Sequence, residues 1–334
     1  MSLHAVKMLG INITNSSKEI ILKEIQKSLE FGRKWGNNSP KNGSNTIIIV
    51  TPNPEQVVYA KNHSRFRDIL NRADIAIPDG VGLVWASKIL FSSRLTIDGL
   101  RLTSAIPGID LMQSLVQVAE KRHVPIALIG GGGDLALKTF ECLQQKFPGV
   151  SGLAMSAPKF VISPSGLAFA QDRESGELQG REFRQNDGEI NFTLGFENVE
   201  TYVQKVTEKL KDAGVQMVFV GLGAPKQEYL IERLSLSLRG VPNLSRDDAA
   251  IPTKREIASS ATSSGSRNDK KIILMSVGGS FDVIAGRIRR APVLVRSIGF
   301  EWFWRLLKEP WRIRRQLALL KFVFLVMKER YRLK

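Results

Sequence analysis

Cysteine and histidine are scarce in this chain, and their scarcity excludes two kinds of site. The 334 residues include one cysteine, Cys142, so neither an intramolecular disulfide nor a zinc site built from a cysteine cluster can form. Cys142 lies in the helical pattern FECLQQ, which is typical of a small buried residue rather than a nucleophile. The three histidines, His4, His63 and His123, are scattered and show no metal-ligand spacing.

Long hydrophobic runs are also missing. The N-terminal segment lacks the apolar core of a signal peptide, and no window holds 18 uncharged apolar residues. The longest candidate, residues 317–327, has eleven residues and contains Lys321. The sequence therefore predicts a soluble or peripheral cytoplasmic protein.

Acidic residues are too few to balance the basic ones, and the imbalance is local. The chain has 48 Lys and Arg against 32 Asp and Glu, a net charge of +16. Residues 287–334 hold 14 of these cations and three acids, so they contribute +11, and they also hold Trp302, Trp304 and Trp311. Basic residues interleaved with aromatics at helical spacing are typical of an interfacial amphipathic helix. The alternative is a basic helix that packs on the domain with its charges solvated.

Short apolar runs alternate with helical patterns along the rest of the chain. The runs at 46–50, 74–77, 126–130, 216–221 and 272–277 are typical of buried strands. The patterns at 54–70, 81–90, 111–122, 135–147, 199–212 and 226–238 are helical. This alternation predicts an α/β fold, a Rossmann-like, mostly parallel sheet with helices on both faces. We divide the chain into an α/β core, 1–286, and a basic amphipathic C-terminal appendage, 287–334.

Polar stretches interrupt the core. Residues 36–45 have the composition of a surface loop. Residues 163–191 are rich in charge and glycine, and 242–270 are rich in Ser, Asp and Arg. We interpret the two longer stretches as irregular insertions, because neither has enough apolar surface to offset its ordering entropy.

Polar or glycine-rich segments follow four of the predicted strands, at the edge where α/β sheets bind ligands. Thr51 and Asn53 follow the first, and Asn53 also suits an N-cap before Pro54. Asp79 precedes Gly80 after the second, where a carboxylate can act as a general base or cap the next helix.

The other two segments contain glycine turns. Residues 130–133 are GGGG, a weak phosphate-binding signal that a tight strand–helix turn explains nearly as well. Residues 221–228, GLGAPKQE, place Lys226 and Gln227 where they can meet a sugar or phosphate or simply face solvent. No Asp-x-Asp sequence occurs, so a sugar-nucleotide enzyme with this chain would stabilise its leaving diphosphate with helix N-termini and Arg or Lys.

Six segments in this order resemble the bacterial WecG/TagA/CpsF glycosyltransferase family. They are TPNPEQVVYAKN at 51–62, ADIAIPDGVGLVWASKIL at 73–90, PGIDLM at 107–112, GLGAPKQE at 221–228, VGGSFDVIAGRIRRAP at 277–292 and GFEWFWRLLKEPWRIRRQ at 299–316. The resemblance covers most of the chain outside the two insertions.

The resemblance implies an activity. Members transfer a sugar, typically N-acetylmannosamine, from a UDP donor to undecaprenyl-diphosphate-linked N-acetylglucosamine, with inversion, for cell-surface polysaccharide or teichoic acid. It further implies that no metal or other cofactor is needed and that the protein works on the inner face of the cell membrane. The expected partners are therefore the donor, the lipid-linked acceptor and an anionic membrane surface, without nucleic acid, and oligomerisation stays open.

The same resemblance implies roles for particular residues. Asp79 would be the general base, and Thr51 and Asn53 would line the pocket near the transferred sugar. Gln227 would contact donor or acceptor. The appendage would help to close the site and would bring arginines to the diphosphate, here Arg305, Arg312 and Arg315.

One departure from the family pattern, together with the net charge, leaves two other readings open. Many relatives carry an arginine three residues before the glycine of the GIDL motif, where this chain has Ala105, and Arg101 is the nearest replacement. A non-catalytic binder of lipid-linked sugar is therefore one alternative. The other is a nucleic-acid-binding α/β protein, which the net charge favours but the concentration of that charge in one tail does not.

Overall fold

The computed structural model describes residues 3–31, 45–91, 101–163, 166–170, 176–184, 189–239, 271–297, 301–308 and 313–332, which form twelve strands and twelve helices. The strands are β1 (Ala5–Met8), β2 (Ile11–Thr14), β3 (Thr46–Val50), β4 (Ile75–Ala76), β5 (Ile126–Gly130), β6 (Gly152–Met155), β7 (Phe160–Ser163), β8 (Gly166–Phe169), β9 (Gly176–Phe183), β10 (Glu189–Phe196), β11 (Met217–Gly221) and β12 (Ile272–Ser276). The helices are α1 (Lys18–Phe31), α2 (Pro54–Asn62), α3 (Ser64–Arg72), α4 (Val81–Leu90), α5 (Gly108–Lys121), α6 (Leu135–Lys146), α7 (Val199–Asp212), α8 (Lys226–Leu238), α9 (Ser280–Ile284), α10 (Val293–Ser297), α11 (Glu301–Lys308) and α12 (Ile313–Arg332).

Eight strands form the central sheet, in the order β10-β9-β6-β5-β11-β12-β3-β4. From β6 to β4 all neighbours run parallel, whereas β9 and β10 run antiparallel at the opposite edge. The five strands predicted from apolar runs are β3, β4, β5, β11 and β12, and they are contiguous in this sheet. They were recognisable because strands covered on both faces carry unbroken apolar sequence.

Helices cover both faces of the sheet, as predicted. Successive side chains of a strand point to opposite faces. Along β3, Ile47 and Ile49 join one hydrophobic cluster, whereas Ile48 and Val50 join another. Each cluster contains residues of flanking helices, so the sheet lies between two apolar cores. The predicted α/β class with a C-terminal helical appendage is confirmed.

The helical pattern at 54–70 forms two helices rather than one. His63 has an extended backbone (φ −126°, ψ 90°) between the end of α2 and the start of α3. Its ring stacks on Tyr59, with 3.8 Å between ring centroids, and its Nδ1 lies 2.8 Å from the Tyr59 carbonyl oxygen. The break lets α3 turn so that Phe66 and Leu70 reach the core.

The described part of 163–191 forms regular strands, contrary to the expectation that its apolar surface is too small to offset its ordering entropy. β8 pairs with β7, while β9 and β10 form a hairpin that extends the central sheet beyond β6. Phe183 is buried and stacks on Phe140 with ring centroids 4.2 Å apart, and Phe169 packs against Tyr202. Average composition missed this because a few aromatic side chains bury a large area each. The second stretch, 242–270, lies outside the described residues.

The last helix, α12, packs on the core across α2 and α4. Phe322 and Val326 are buried there, with 2% and 0% of their surface exposed. Other apolar side chains of α12 face outward; they are Leu317, Leu320, Val323, Phe324, Met327 and Tyr331. The helix therefore has two apolar faces, one that is packed on the protein and one that is exposed.

Candidate active site

A cavity of about 1440 Å³ lies at the carboxyl ends of the parallel strands. Residues that follow β3, β4, β5, β11 and β12 line it, and these include all four segments singled out in the sequence. Parallel strands end at one edge of a sheet, so segments far apart in the chain converge there. Part of α12 (Leu319, Leu320, Phe322 and Val323) forms an apolar wall of the same cavity.

Asp79 lines this cavity on a short loop between β4 and α4. Its N–H donates to the Pro52 carbonyl oxygen at 2.9 Å, which ties the loop to the one after β3. Gly80, with φ +91°, occupies the N-cap position of α4, so Asp79 lies one residue before the cap. A positive φ is costly for a residue with a side chain, which explains glycine after the aspartate. The structure therefore does not place Asp79 at the helix-capping position that the sequence left as the alternative.

Thr51 and Asn53 line the cavity next to Asp79. Thr51 is only 4% exposed. The Oδ1 of Asn53 accepts from the Gln56 N–H at 2.9 Å and caps α2, as the sequence predicted. The cap uses the amide oxygen of Asn53, and the residue also lines the cavity. Structural and ligand-binding roles are thus compatible at this residue.

Gln227 also lines the cavity, but its side chain is 1% exposed and already engaged. Its Oε1 accepts from the Gly278 N–H at 2.9 Å, which joins the turn after β11 to the turn after β12. Its Nε2 donates to Glu228 at 2.8 Å. Burial raises the pKa of the Glu228 carboxyl to about 7. The sequence indicated Gln227 as a candidate site residue, but it did not indicate the buried carboxyl of Glu228 beside it.

The glycines at 130–133 shape the floor of the cavity. The Gly131 N–H donates to the Gly221 carbonyl oxygen at 3.1 Å. A Cβ on Gly130 would lie 2.8 Å from that same oxygen, so a side chain there would push β5 and β11 apart. This close approach accounts for the first glycine of the run, while Gly131 and Gly132 border the cavity.

The three appendage arginines cannot be placed by their side chains. Arg305 belongs to α11 and Arg315 to α12, but their side chains and the whole of Arg312 lie outside what the structure describes. Their assignment to the diphosphate stays a prediction.

Three other arginines border the cavity, and the sequence reasoning did not single them out. They are Arg287, Arg290 and Arg296. Arg287 pairs with Asp134 at 2.7 Å, and Lys138 and Arg287 hold the pKa of the Asp134 carboxyl below its usual range. Arg290 makes two hydrogen bonds to Asp110, at 2.7 and 2.9 Å. Arg287, Arg290 and Asp110 occur within the quoted family segments. Those segments could have pointed to these residues, but they do not indicate that Arg290 pairs with Asp110.

A family model describes nearly the whole chain. The model of the glycosyl transferase WecG/TagA/CpsF family matches residues 6–245 and 263–334. The chain belongs to this family. The stretch that the model leaves out, 246–262, lies within the predicted second insertion, and the matched part includes every residue named above at the cavity.

Curated relatives carry one enzyme name. A protein of Bacillus spizizenii is 28% identical over 281 residues, which cover 84% of this chain and 79% of the relative. A protein of Staphylococcus aureus is 25% identical over 329 residues, which cover 98% of this chain and 94% of the relative. Both are named N-acetylglucosaminyldiphosphoundecaprenol N-acetyl-beta-D-mannosaminyltransferase, so this chain is similar to hexosyltransferases along most of its length.

Ala105, where the family resemblance leads us to expect an arginine, lines the cavity. Arg101, its nearest arginine in the sequence, donates to the Phe91 carbonyl oxygen at 3.3 Å and is not among the cavity-lining residues. Arg101 therefore does not replace a cation at position 105. Within the described residues, the arginines that reach the cavity come from the 287–296 segment.

The described residues contain no group of three or more His, Cys, Asp or Glu that could hold a metal ion. Among the same residues, no helix combines the length and apolar character that crossing a bilayer requires. The metal-independent reaction expected from the sequence stays a prediction.

Proposed function

We propose that this protein is an inverting glycosyltransferase that moves N-acetylmannosamine, or a related sugar, from a UDP donor to undecaprenyl-diphosphate-linked N-acetylglucosamine. The product would serve cell-surface polysaccharide or teichoic acid synthesis. The observation that carries the proposal is the convergence of Thr51, Asn53, Asp79 and Gln227, from three separate family segments, on one cavity. The names of the relatives support the acceptor and the transferred sugar.

In this proposal Asp79 is the general base. Its carboxylate takes the proton of the acceptor hydroxyl, and the hydroxyl oxygen attacks the anomeric carbon from the face opposite the diphosphate. As the new C–O bond forms, the bond to UDP breaks and UDP leaves with the electron pair. One displacement of this kind inverts the configuration at the anomeric carbon.

The departing diphosphate needs positive charge. We assign this role to Arg305, Arg312 and Arg315 of the appendage, because a guanidinium can make two parallel hydrogen bonds to phosphate oxygens. With these cations no metal ion is required. Thr51 and the Nδ2 of Asn53 would hold the sugar, and Gln227 would contact donor or acceptor through the part of its amide that faces the cavity.

The lipid of the acceptor stays in the bilayer, so the enzyme has to work at its surface. The exposed stripe of α12, which includes Leu317, Phe324 and Met327, would enter the interface. Lys321 and Lys328 are exposed beside that stripe and would meet anionic headgroups at about 1 kcal/mol per charge. We therefore place the protein peripherally on the inner face of the membrane, the leaflet with the negative surface potential.

Incubation with UDP-N-acetylmannosamine and a short-chain lipid-diphosphate N-acetylglucosamine tests the proposal, with mass detection of a disaccharide product. A screen of other UDP-sugars identifies the donor. We expect Asp79→Asn to lower kcat/KM by about 10²-fold or more. Asp212→Asn, on the exposed end of α7, is the matched control and should keep wild-type activity.

Two results would contradict the proposal in different ways. Full transfer by the Asp79→Asn variant would remove Asp79 as the base. Binding of donor and acceptor without any turnover, across the donor screen, would instead indicate a binder of lipid-linked sugar that has no catalytic activity.

A further inference from the structure

Arg290 connects three parts of the candidate site. Its Nη1 and Nη2 donate to the two carboxylate oxygens of Asp110, at 2.7 and 2.9 Å. Asp110 lies in the first turn of α5, 180 residues away in the chain. The Nε of Arg290 lies 3.8 Å from Oε1 of Glu301, the first residue of α11. Arg290, which lies near the beginning of the appendage, therefore joins the core to α11.

The same guanidinium lines the cavity together with the proposed base. Just before α5, the Ile106 N–H donates to the Pro78 carbonyl oxygen at 2.9 Å, so the approach to α5 runs along the loop that carries Asp79. Arg290, Asp110 and Asp79 all line the cavity. The hydrogen bonds that Arg290 donates to Asp110 raise the pKa of its guanidinium, and the charges of Glu301 and Asp79 add to this effect.

We propose that Arg290 is a positioning residue for the transfer reaction: held by Asp110, it keeps a positive charge beside Asp79 so that the base stays ionised when the anionic substrates fill the cavity. The proposal rests on the proposed role of Asp79. In this proposal Asp110 fixes the direction of the guanidinium and limits the effect of its positive charge on Asp79.

The need for such a cation follows from the charges in the cavity. Asp110 and Glu301 are negative neighbours, the donor and acceptor each carry a diphosphate, and α12 contributes an apolar wall. Negative neighbours and loss of water both favour the protonated form of a carboxyl group, in which it cannot accept a proton. A nearby guanidinium opposes both effects.

Other charged side chains also face the cavity and contribute to its potential. They are Glu55 of α2, Lys159 after β6, Lys226 of α8, Asp282 of α9, and Arg287 and Arg296. Arg290 differs from these in that two hydrogen bonds to one carboxylate, that of Asp110, fix its guanidinium. Arg289, the residue before it, is exposed and does not line the cavity, so it provides a matched control.

The test measures the ionisation of Asp79 in the full-length protein with ¹³C-labelled aspartate carboxyls, the Asp79 signal being assigned by its loss in Asp79→Asn. We expect Arg290→Gln to raise the carboxyl pKa by about one unit, and to move the acid limb of the kcat–pH profile to higher pH by a similar amount. Arg289→Gln should change neither. Arg290→Lys keeps the charge and should restore most of the wild-type profile.

Asp110→Asn gives a second measurement of opposite sign. The amide oxygen of the asparagine can still accept one hydrogen bond from the guanidinium, so the cation is retained while a neighbouring anion is lost, and the Asp79 pKa should fall. If the pair were only structural, Arg290→Gln and Asp110→Asn would lose activity equally. The two variants would then not shift the Asp79 pKa in opposite directions. If Arg290→Gln does not fold, Arg290→Lys and Asp110→Asn still decide the question.

An unchanged Asp79 pKa in Arg290→Gln, an equal rise in Arg289→Gln, or a rise in Asp110→Asn overturns the inference. The carboxyl titration does not depend on turnover. Sugar transfer that requires Asp79, with no effect of Arg290 on its ionisation, would refute this inference alone. A shift in the titration without any transfer would refute the proposed function and leave the electrostatic relationship standing.

Discussion

Gln227 donates a hydrogen bond from Nε2 to Oε1 of Glu228, 2.8 Å away, and both side chains are buried. Because the Oε1 of Gln227 also accepts from the Gly278 N–H, the pair links the end of β11 to the turn after β12. A buried carboxyl thus helps to orient an amide that borders the candidate active site. This arrangement makes the stability of the site dependent on pH.

The pH dependence has a definite sign. Burial raises the Glu228 pKa from its ordinary value of 4.5 to about 7, so between these pH values the folded protein binds more protons than the unfolded chain. Stability should therefore fall as pH rises from about 4.5 to about 7, by up to about 3 kcal/mol. We expect Glu228→Gln to flatten this dependence and to raise the urea midpoint at pH 8 relative to the wild type. Glu208→Gln, on the exposed side of α7, is the control, and the same slope in Glu228→Gln would contradict the assignment.

Two substitutions separate the capping and binding roles of Asn53. Asn53→Ala removes the cap of α2 and should cost about 1 kcal/mol of stability. Asn53→Asp keeps a capping oxygen but replaces the amide donor with negative charge, so the fold should be retained while KM for the UDP donor rises by roughly tenfold or more. Urea unfolding and steady-state kinetics measure the two effects. Wild-type kinetics in Asn53→Asp would mean that Asn53 serves only as a helix cap.

Neighbouring phenylalanines of α12 allow a test of its packing. Phe322 is 2% exposed and belongs to the core, whereas Phe324 is 66% exposed. Phe322→Ala should lower the free energy of unfolding by about 3–5 kcal/mol, and Phe324→Ala should change it by less than about 0.5 kcal/mol. Thermal or urea unfolding measures both. Equal, small effects would show that α12 does not contribute to the folded core in solution.

Because of this packing, a truncation would not separate the functional role of the appendage from its contribution to stability. Removal of residues 296–334 would delete Phe322 and Val326 together with the basic charges and would expose the faces of α2 and α4 that they cover. Loss of activity in such a truncation would then combine instability with loss of the appendage. Point substitutions on the exposed face of α12 are the cleaner test of its role.

Membrane binding is predicted to depend on that exposed face. The double variant Phe324→Gln and Met327→Gln removes two apolar side chains that are 66% and 52% exposed. Binding to anionic vesicles should fall by roughly tenfold or more, because each buried side chain contributes about 1.5–3 kcal/mol. Ile190→Gln, on the exposed edge strand β10, is the control in vesicle co-sedimentation. Unchanged binding of the double variant would exclude this stripe as the membrane contact.

The sequence alone predicted the framework of the site. Strands such as β3 and β5 could be predicted from the sequence, because a parallel strand covered on both faces is continuously apolar. The sequence indicated Asn53, Asp79 and Gln227 as candidate site residues, because polar residues directly after such strands converge at one edge of the sheet. Local patterns of this kind need no knowledge of distant contacts, and the family segments lie on the same elements.

Only the tertiary structure decided which distant groups meet. Arg290 and Asp110 are separated by 180 positions, and nothing in either segment specifies the other as its partner. The β9–β10 hairpin and the two apolar faces of α12 likewise depend on a few aromatic contacts with other elements, which average composition does not weigh. Periodicity along the chain records how each element faces its surroundings, whereas the pairing of elements and charges is set by packing across the whole fold.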